Sequence, residues 1–463
     1  MNIFDALNFT MKKALFFLFF STISVFSFSQ NDSTFIRKIY NEALENGESY
    51  GNLRSLCKDI GARVTASAEA EMAIKWGKKL LDSYGFDKVY LQEITVPHWE
   101  RGTTEAAWIE NDKGELLKLN VLALGSSVGT NGLLKAEVIQ FKDIEELKKA
   151  NESDVKGKIV FLNEAFNQKH LNTFKAYGAC YPQRGRGAKE AGNLGAVAVV
   201  IRSLASSDDN HPHTGTMSYD SAKVKIPAAA LSTNDANSLS NWLSKGKVTL
   251  SLEMDCKTLP DITSYNVIAE MNGKDDKVIT WGGHLDSWDV GEGAHDDGAG
   301  IVHSIEALRI LKTLGYQPQH KLRCVLFMNE ENGNYGGKTY ATWCKENKEV
   351  HIAALESDRG GFLPTGFDVR GTAEQLKFIH QFKDLLYDFQ LFKFDKGYGG
   401  VDIGPLMNEY PEMIQLGMVI NSQEYFDYHH SEADVFEAVN KRELELGAAA
   451  MAAMIYLLDK NLK

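Results

Sequence analysis

The stretch richest in chemistry is WGGHLDSWDVGEGAHDDGAG, residues 281 to 300, which follows the extended run KVIT and precedes a helical pattern. Its His284 and acidic side chains thus sit at the carboxyl end of a strand, the edge of an open α/β sheet where ligands bind. Residues two apart on an extended backbone point the same way, so Asp286 is placed to accept a hydrogen bond from the His284 imidazole and to fix which nitrogen faces a metal. Neighbouring Asp296 and Asp297 cannot both aim at one point. One is expected on a metal and the other in the loop, and spacing does not say which. A second acidic pair, Glu330 and Glu331, ends the apolar run KLRCVLFMN one βα unit later. Adjacent side chains diverge there, so one can coordinate while the other moves a proton, the division that metal-assisted hydrolysis requires. Asp358, in ESDRGG, follows a third such run, HIAALES, and His430 lies in YHHSEAD.

Each of these residues has an ordinary reading when taken singly. A strand-end Asp often caps a helix, a Glu is a solvated charge, and a His packs. Together, two His and at least three carboxylates form a nitrogen and oxygen set suited to zinc, able to serve two ions through one bridging carboxylate.

Helical spacing of apolar residues covers Thr34 to Glu45 and Ala68 to Tyr84, and Lys88 to Val96 reads as a strand. From about Gly125 to Pro260 the texture changes to short β-like runs (Leu134 to Phe141, Lys158 to Leu162, Ala196 to Ile201) between Gly, Asn, Asp and Ser clusters, which reads as an inserted, mostly-β domain. Beyond Ser264, extended runs alternate with helical patterns, the signature of a mixed α/β sheet flanked by helices. The expected division is one α/β domain over 30–124 and 260–463 with an insert over 125–259.

The chain has 463 residues, 44% hydrophobic and 24% charged, the composition of a globular protein with a real core. Lys plus Arg number 50 against 62 Asp plus Glu, a net charge of -12, which disfavours nucleic acid and anionic membrane as partners. The five Cys are far apart, without CxxC pairs. Lys12 and Lys13 precede a mostly apolar run from Ala14 to Phe28, shorter than the roughly 20 residues of a membrane span. Ser27-Phe28-Ser29 supplies a small-x-small cleavage pattern, so residues 1–29 read as a signal peptide and the mature protein as secreted or periplasmic.

In their order along the chain, HLDSWDVGEGAHDDGAG, NEENGNYGG, ESDRGG and YHHSEAD resemble the co-catalytic di-zinc exopeptidases, a family that includes bacterial aminopeptidases and glutamate carboxypeptidases. The insert, with HPHTGTMSY and KIPAAALSTNDANSL, is similar to the protease-associated domain of the plasma glutamate carboxypeptidase branch. The resemblance implies two zinc ions: His284 and Asp358 on one, Glu331 and His430 on the other, and Asp296 bridging. It implies Glu330 as general base and Asp286 as the orienter of His284. His430 is preferred to His429 because the family's ligand precedes an acidic residue by four positions, and Asp434 fits. His295 stands where relatives carry an uncharged residue. The implied substrate is a dipeptide or short peptide with free termini, met by Asp402 of the loop GGVDIGPL, by His429, and by His213 of the insert, which resembles a lid and a homodimer surface.

Other readings are weaker. GSSVG (125–129) matches a serine-hydrolase pattern, but a turn and an extended run follow Ser127 instead of a helix. A glutaminyl-cyclase-like acyltransferase keeps a reduced set around one zinc, and a transferrin-receptor-like binding module loses the ligands, whereas none is missing here. HExxH and GxGxxG are absent.

Overall fold

The computed structural model describes residues 31–463; the leader expected at 1–29 lies outside them. Helices at 31–46, Ser49–Ser55 and Ala68–Ser83 open the chain. β1 (Lys88–Glu100) follows, then β2 (Glu105–Asn111), β3 (Leu116–Leu119), β4 (Val121–Ala123), β5 (Leu134–Phe141), β6 (Ile159–Leu162), β7 (Ala198–Arg202), β8 (Ala228–Leu231) and β9 (Val248–Met254). The last third holds β10 (Lys257–Met271), β11 (Lys277–His284), β12 (Lys321–Phe327), β13 (Val350–Glu356), β14 (Pro364–Arg370) and β15 (Ile414–Ile420).

One seven-stranded sheet has the order β1-β10-β12-β11-β13-β15-β14. Its central four strands, β12, β11, β13 and β15, run parallel, and antiparallel partners flank them at both edges. The parallel strands are apolar on both faces because helices cover both. In β12, Leu322, Cys324 and Leu326 join the core under helices Ala299–Thr313 and Lys441–Asn461, while Val325 and Phe327 face Tyr340 and Ala341 of helix Tyr335–Glu346. The alanines of Lys441–Asn461, Ala448 to Ala450 and Ala452 to Ala453, are fully buried, as expected of a helix packed closely on its neighbours.

The second sheet has eight strands, in the order β3-β2-β9-β5-β6-β7-β8-β4. It is built around β6, β7 and β8, with helices Thr173–Asn193 and Thr233–Leu243 alongside. Strands β2, β3 and β4, expected in the peptidase-like domain, pair here: β2 runs antiparallel to β9 from Glu105 opposite Met254 to Asn111 opposite Val248. The sheet boundary therefore lies before Glu105 and not at the expected 125. Alternation marks a strand but cannot say which of two sheets it joins when its partner is far away in sequence. Ser127 is buried in this insert, its Oγ donating to Val128 O (2.9 Å) and accepting from Ala228 N (2.9 Å), so GSSVG forms a structural turn. Among the described residues, no helix is long and apolar enough to cross a membrane.

Leu326 is fully buried in β12 beneath Gly77 of helix Ala68–Ser83. Leu326→Ala should lower the unfolding free energy by about 2–5 kcal/mol through lost burial and a residual cavity. Urea titration checks this, and a loss below about 1 kcal/mol would show that the site collapses around the change.

Candidate metal centre

The carboxyl ends of the four parallel strands converge on one cavity. His284 ends β11, Glu330 and Glu331 lie just past β12, Asp358 lies two residues past β13, and the loop after β15 carries His430. Leu285 N donates to Phe327 O (2.6 Å) and Ser357 N to Gly282 O (3.1 Å), holding the departing chains side by side.

Asp296 sits between two imidazoles. Its Oδ1 is 3.1 Å from His284 Nε2 and its Oδ2 is 3.1 Å from His430 Nε2. Asp358 Oδ1 lies 3.5 Å from His284 Nε2, and Glu331 Oε2 lies 3.2 Å from His430 Nε2. Donors bound to zinc at about 2.0–2.2 Å in a tetrahedron stand about 3.3–3.5 Å from one another. At 3.1–3.5 Å both groups come within about 0.2 Å of that spacing, and one carboxylate offers one oxygen to each. The donor chemistry also fits, and the other oxygen of Glu331 is buried without a partner. His429 stacks on His430 (3.5 Å between ring centroids), its Nε2 3.6 Å from Asp296 Oδ2.

Asp297 has the other job. The Asp296–Asp297 peptide is cis, and Asp297 turns back to accept from His284 N and Gly300 N (both 3.0 Å). Gly283 and Gly300 make room, since a Cβ on either would come within 2.2–2.4 Å of the Asp297 carboxylate. Asp434 accepts from His295 N (2.7 Å) and Asp296 N (3.1 Å), and buried Arg63 donates to the carbonyls of Leu285, Glu292 and Gly293 (2.6, 2.7 and 2.9 Å). His295, whose role was open, stacks on Phe362 and accepts from Gly361 N (3.1 Å).

Three expectations change. The carboxylate of Asp286 stands 3.8 Å from the His284 ring, which meets the Asp286 backbone carbonyl instead (Nδ1 to O, 2.9 Å). Past the strand end the two-residue alternation lapses. The carboxylate accepts from Thr65 Oγ1 (2.8 Å), Asn329 N (2.8 Å) and Glu330 N (3.1 Å), shaping the turn that presents Glu330 and Glu331. Asp402 is fully buried with neither oxygen partnered, outside the cavity lining. Its neighbours Val401 N and Ile403 N both donate to Glu356 (2.7 and 2.9 Å), which leaves its side chain inside the protein. His213 is likewise buried and meets His429 from behind (Nδ1 to O, 2.6 Å), not from the cavity.

The cavity measures 320 Å³ and opens on a larger cleft of 1030 Å³ that shares Phe174, Tyr177, Tyr181, Asp358 and Val401. Sequence reasoning expected the insert as a lid but missed the residues it contributes to this lining. Arg184 of helix Thr173–Asn193, donating to Tyr177 Oη, brings a buried cation beside His430. Glu330 lines the cavity within the same group of charges as Asp358 and Glu331.

Residues 266–455 match the model of peptidase family M28, and residues 125–239 match the PA domain. Carboxypeptidase Q of Mus musculus is 35% identical over 89% of this chain and 85% of its own length, and that of Homo sapiens 35% over 91% and 86%. The chain belongs to peptidase family M28. As a member of that family it is a metallo-exopeptidase. A peptidase M28 precursor from Shewanella amazonensis superposes with a TM-score of 0.88 at 32% identity, covering 93% of this chain and 97% of that one. A zinc aminopeptidase from Bacillus subtilis, at 20% identity and a TM-score of 0.64 over 90% and 96%, shares the fold.

Burial governs the charges in this M28 site. It raises Glu330 and Asp297 well above the ordinary carboxylate range and lifts Glu331 and Asp358. Burial also pushes Asp434 and Glu356 up to about 7. For Asp296 burial acts the same way, but His284 and His430 outweigh it and hold the carboxyl well below its usual value. Burial opposes the charged form of His430, yet Glu331 and Asp296 bring it to about 9.

A group raised in the folded state adds stability that is lost as pH rises through its folded value. Above pH 6.5, Glu356, Asp434 and His430 all act in that direction. The buried imidazoles of His295 and His303, held down at about 4 and about 3, oppose it only below 6.5. Metal-free protein should therefore lose stability between pH 6.5 and 9, by about 1.4 kcal/mol per pH unit for each proton of difference. Added metal should flatten the profile. Urea unfolding at stepped pH reads this, and a rising curve for the stripped protein would contradict the charge assignment.

Proposed function

We propose that the protein is a secreted, zinc-dependent exopeptidase of the carboxypeptidase Q kind, which hydrolyses dipeptides or very short peptides. The observation that carries this reading is Asp296 dividing its two oxygens between His284 with Asp358 and His430 with Glu331. These five residues would hold two ions, and zinc, when bound, supplies a Lewis acid and lowers the pKa of a nearby water toward about 7. Glu330 takes the proton from that water and returns it to the departing amine as the peptide bond breaks. A base needs a pKa near the working pH, and burial of Glu330 moves it upward from the ordinary carboxylate range. Asp286 supports that role through the N–H groups it holds. His429, whose Nδ1 has no partner, faces the same cavity and is a candidate contact for substrate.

The walls favour small substrates. Phe174, Tyr177 and Tyr181 of the insert close over the cavity from one side while Glu330, Glu331 and Asp358 line the other. The 320 Å³ space beside these carboxylates holds a residue or two, and the 1030 Å³ cleft beyond it would take whatever extends outward.

Glu330→Gln should keep the metal content while kcat falls about a hundredfold or more. Metal analysis with steady-state kinetics tests it, and near-normal turnover would remove Glu330 from its role. For the substrate class, dipeptides and tripeptides with free or blocked termini should be offered to metal-loaded protein. Cleavage of free dipeptides but not of blocked analogues is expected; efficient cleavage of internally placed bonds would refute the exopeptidase reading.

A further inference from the structure

The two histidines are oriented from different domains. His284 meets the peptide carbonyl of Asp286, two residues along its own chain. His430 is held by the insert, through three consecutive residues of the HPHTG segment. His213 Nδ1–H donates to His429 O (2.6 Å), and Thr214 N–H donates to His430 O (2.9 Å). The His430 ring returns a bond, Nδ1 to Thr214 O (3.2 Å), which keeps a proton on Nδ1 and makes Nε2, facing Asp296 and Glu331, the nitrogen that an ion would take. Gly215 has φ +133, and a Cβ there would meet the Arg184 guanidinium at 2.3 Å and His430 Nδ1 at 2.7 Å, pressing on the ring and on the cation beside it. His430 itself has φ +62, so the turn adopts a conformation that its own sequence does not favour.

The segment is anchored inside the insert. His213 N donates to Ser203 Oγ (2.8 Å) and Thr214 Oγ1 to Ala123 O (2.7 Å), while His213 Nε2 faces Asp209 at 4.0 Å. Ser206 adds a separate bond to the same loop, to Asp427 Oδ1 (2.6 Å).

We propose that His213, Thr214 and Gly215 are positioning residues for His430, so that the docked insert controls how tightly the Glu331 and His430 pair holds its ion. The His284 and Asp358 pair does not depend on the insert in this way. The inference rests on the two-zinc reading above and deepens it: the insert is part of the metal site as well as its cover.

The test uses the full chain, with zinc content and affinity measured against graded chelator. In wild type two ions are expected. In His213→Ala one of the two should weaken about 10–100-fold, the usual effect of losing a partner behind a ligand, while the other keeps its affinity. His213→Asn should recover much of the loss, because its Nδ2–H can donate where the imidazole Nδ1–H did. Gly215→Ala should give the same one-site loss from steric displacement. Should His213→Ala fold poorly, Ser206→Ala removes one bond to the loop and little volume, and a smaller loss confined to the same ion is expected. Two equally tight ions in His213→Ala and Gly215→Ala, or equal weakening of both, would overturn the proposal. A wild type with a single ion would instead sink the two-ion reading, and the clamp would then stand or fall on whether that ion weakens in His213→Ala and recovers in His213→Asn.

Discussion

The fold is organised around a concentration of negative charge that water cannot screen. Asp296, Asp297, Glu330, Glu331, Asp358 and Asp434 gather at the ends of parallel strands, and burial raises the pKa of five of them. Desolvating a carboxylate costs several kcal/mol unless a cation or a set of donors compensates. Only for Asp296 do the neighbours outweigh burial and lower the pKa, and it is the one that touches both imidazoles. A site of this kind is incomplete as protein alone. Divalent cations would complete it, which is why its geometry and its electrostatics point the same way.

Positioning is achieved with hydrogen bonds to backbone, leaving side-chain charge free for the cavity. Arg63 meets four carbonyls, and Asp286, Asp297 and Asp434 each collect peptide N–H groups. Such contacts fix loops without placing a competing cation against the ligand set. Arg184 is the exception, a cation brought by the insert to the cavity wall. Its guanidinium is spread between Tyr177 and Thr214.

The gathering of these side chains at one sheet edge was legible in the sequence because their placement is local. His284, Glu330, Glu331 and Asp358 each follow an apolar run, and a strand end in an α/β sheet has one predictable neighbourhood. His430 and the choice of Asp296 over Asp297 came through family resemblance, since spacing left both open. Asp286 was misread because strand alternation was extended past the point where β11 stops. Arg63 carries no signal beyond a charged residue in a loop, and three of its four carbonyl partners lie more than 200 positions away. The sheet membership of β2 to β4 was hidden for a similar reason, as short strands record their own alternation but not their partner.

The insert shows most plainly what a linear reading leaves out. HPHTG could be read as part of a lid and Arg184 not at all, and neither sits at a strand end of the peptidase sheet. They acquire meaning only when the insert folds and docks against the loop after β15. There Phe166, Phe174 and Tyr177 pack on Phe426, four residues before His430. That aromatic contact is apolar and non-directional, well suited to bringing two domains together but not to aiming a nitrogen. The directional part falls to the hydrogen bonds of His213 and Thr214. Apolar docking and polar aiming are thus separated along one short loop, so a change that loosens the aim need not undock the domain.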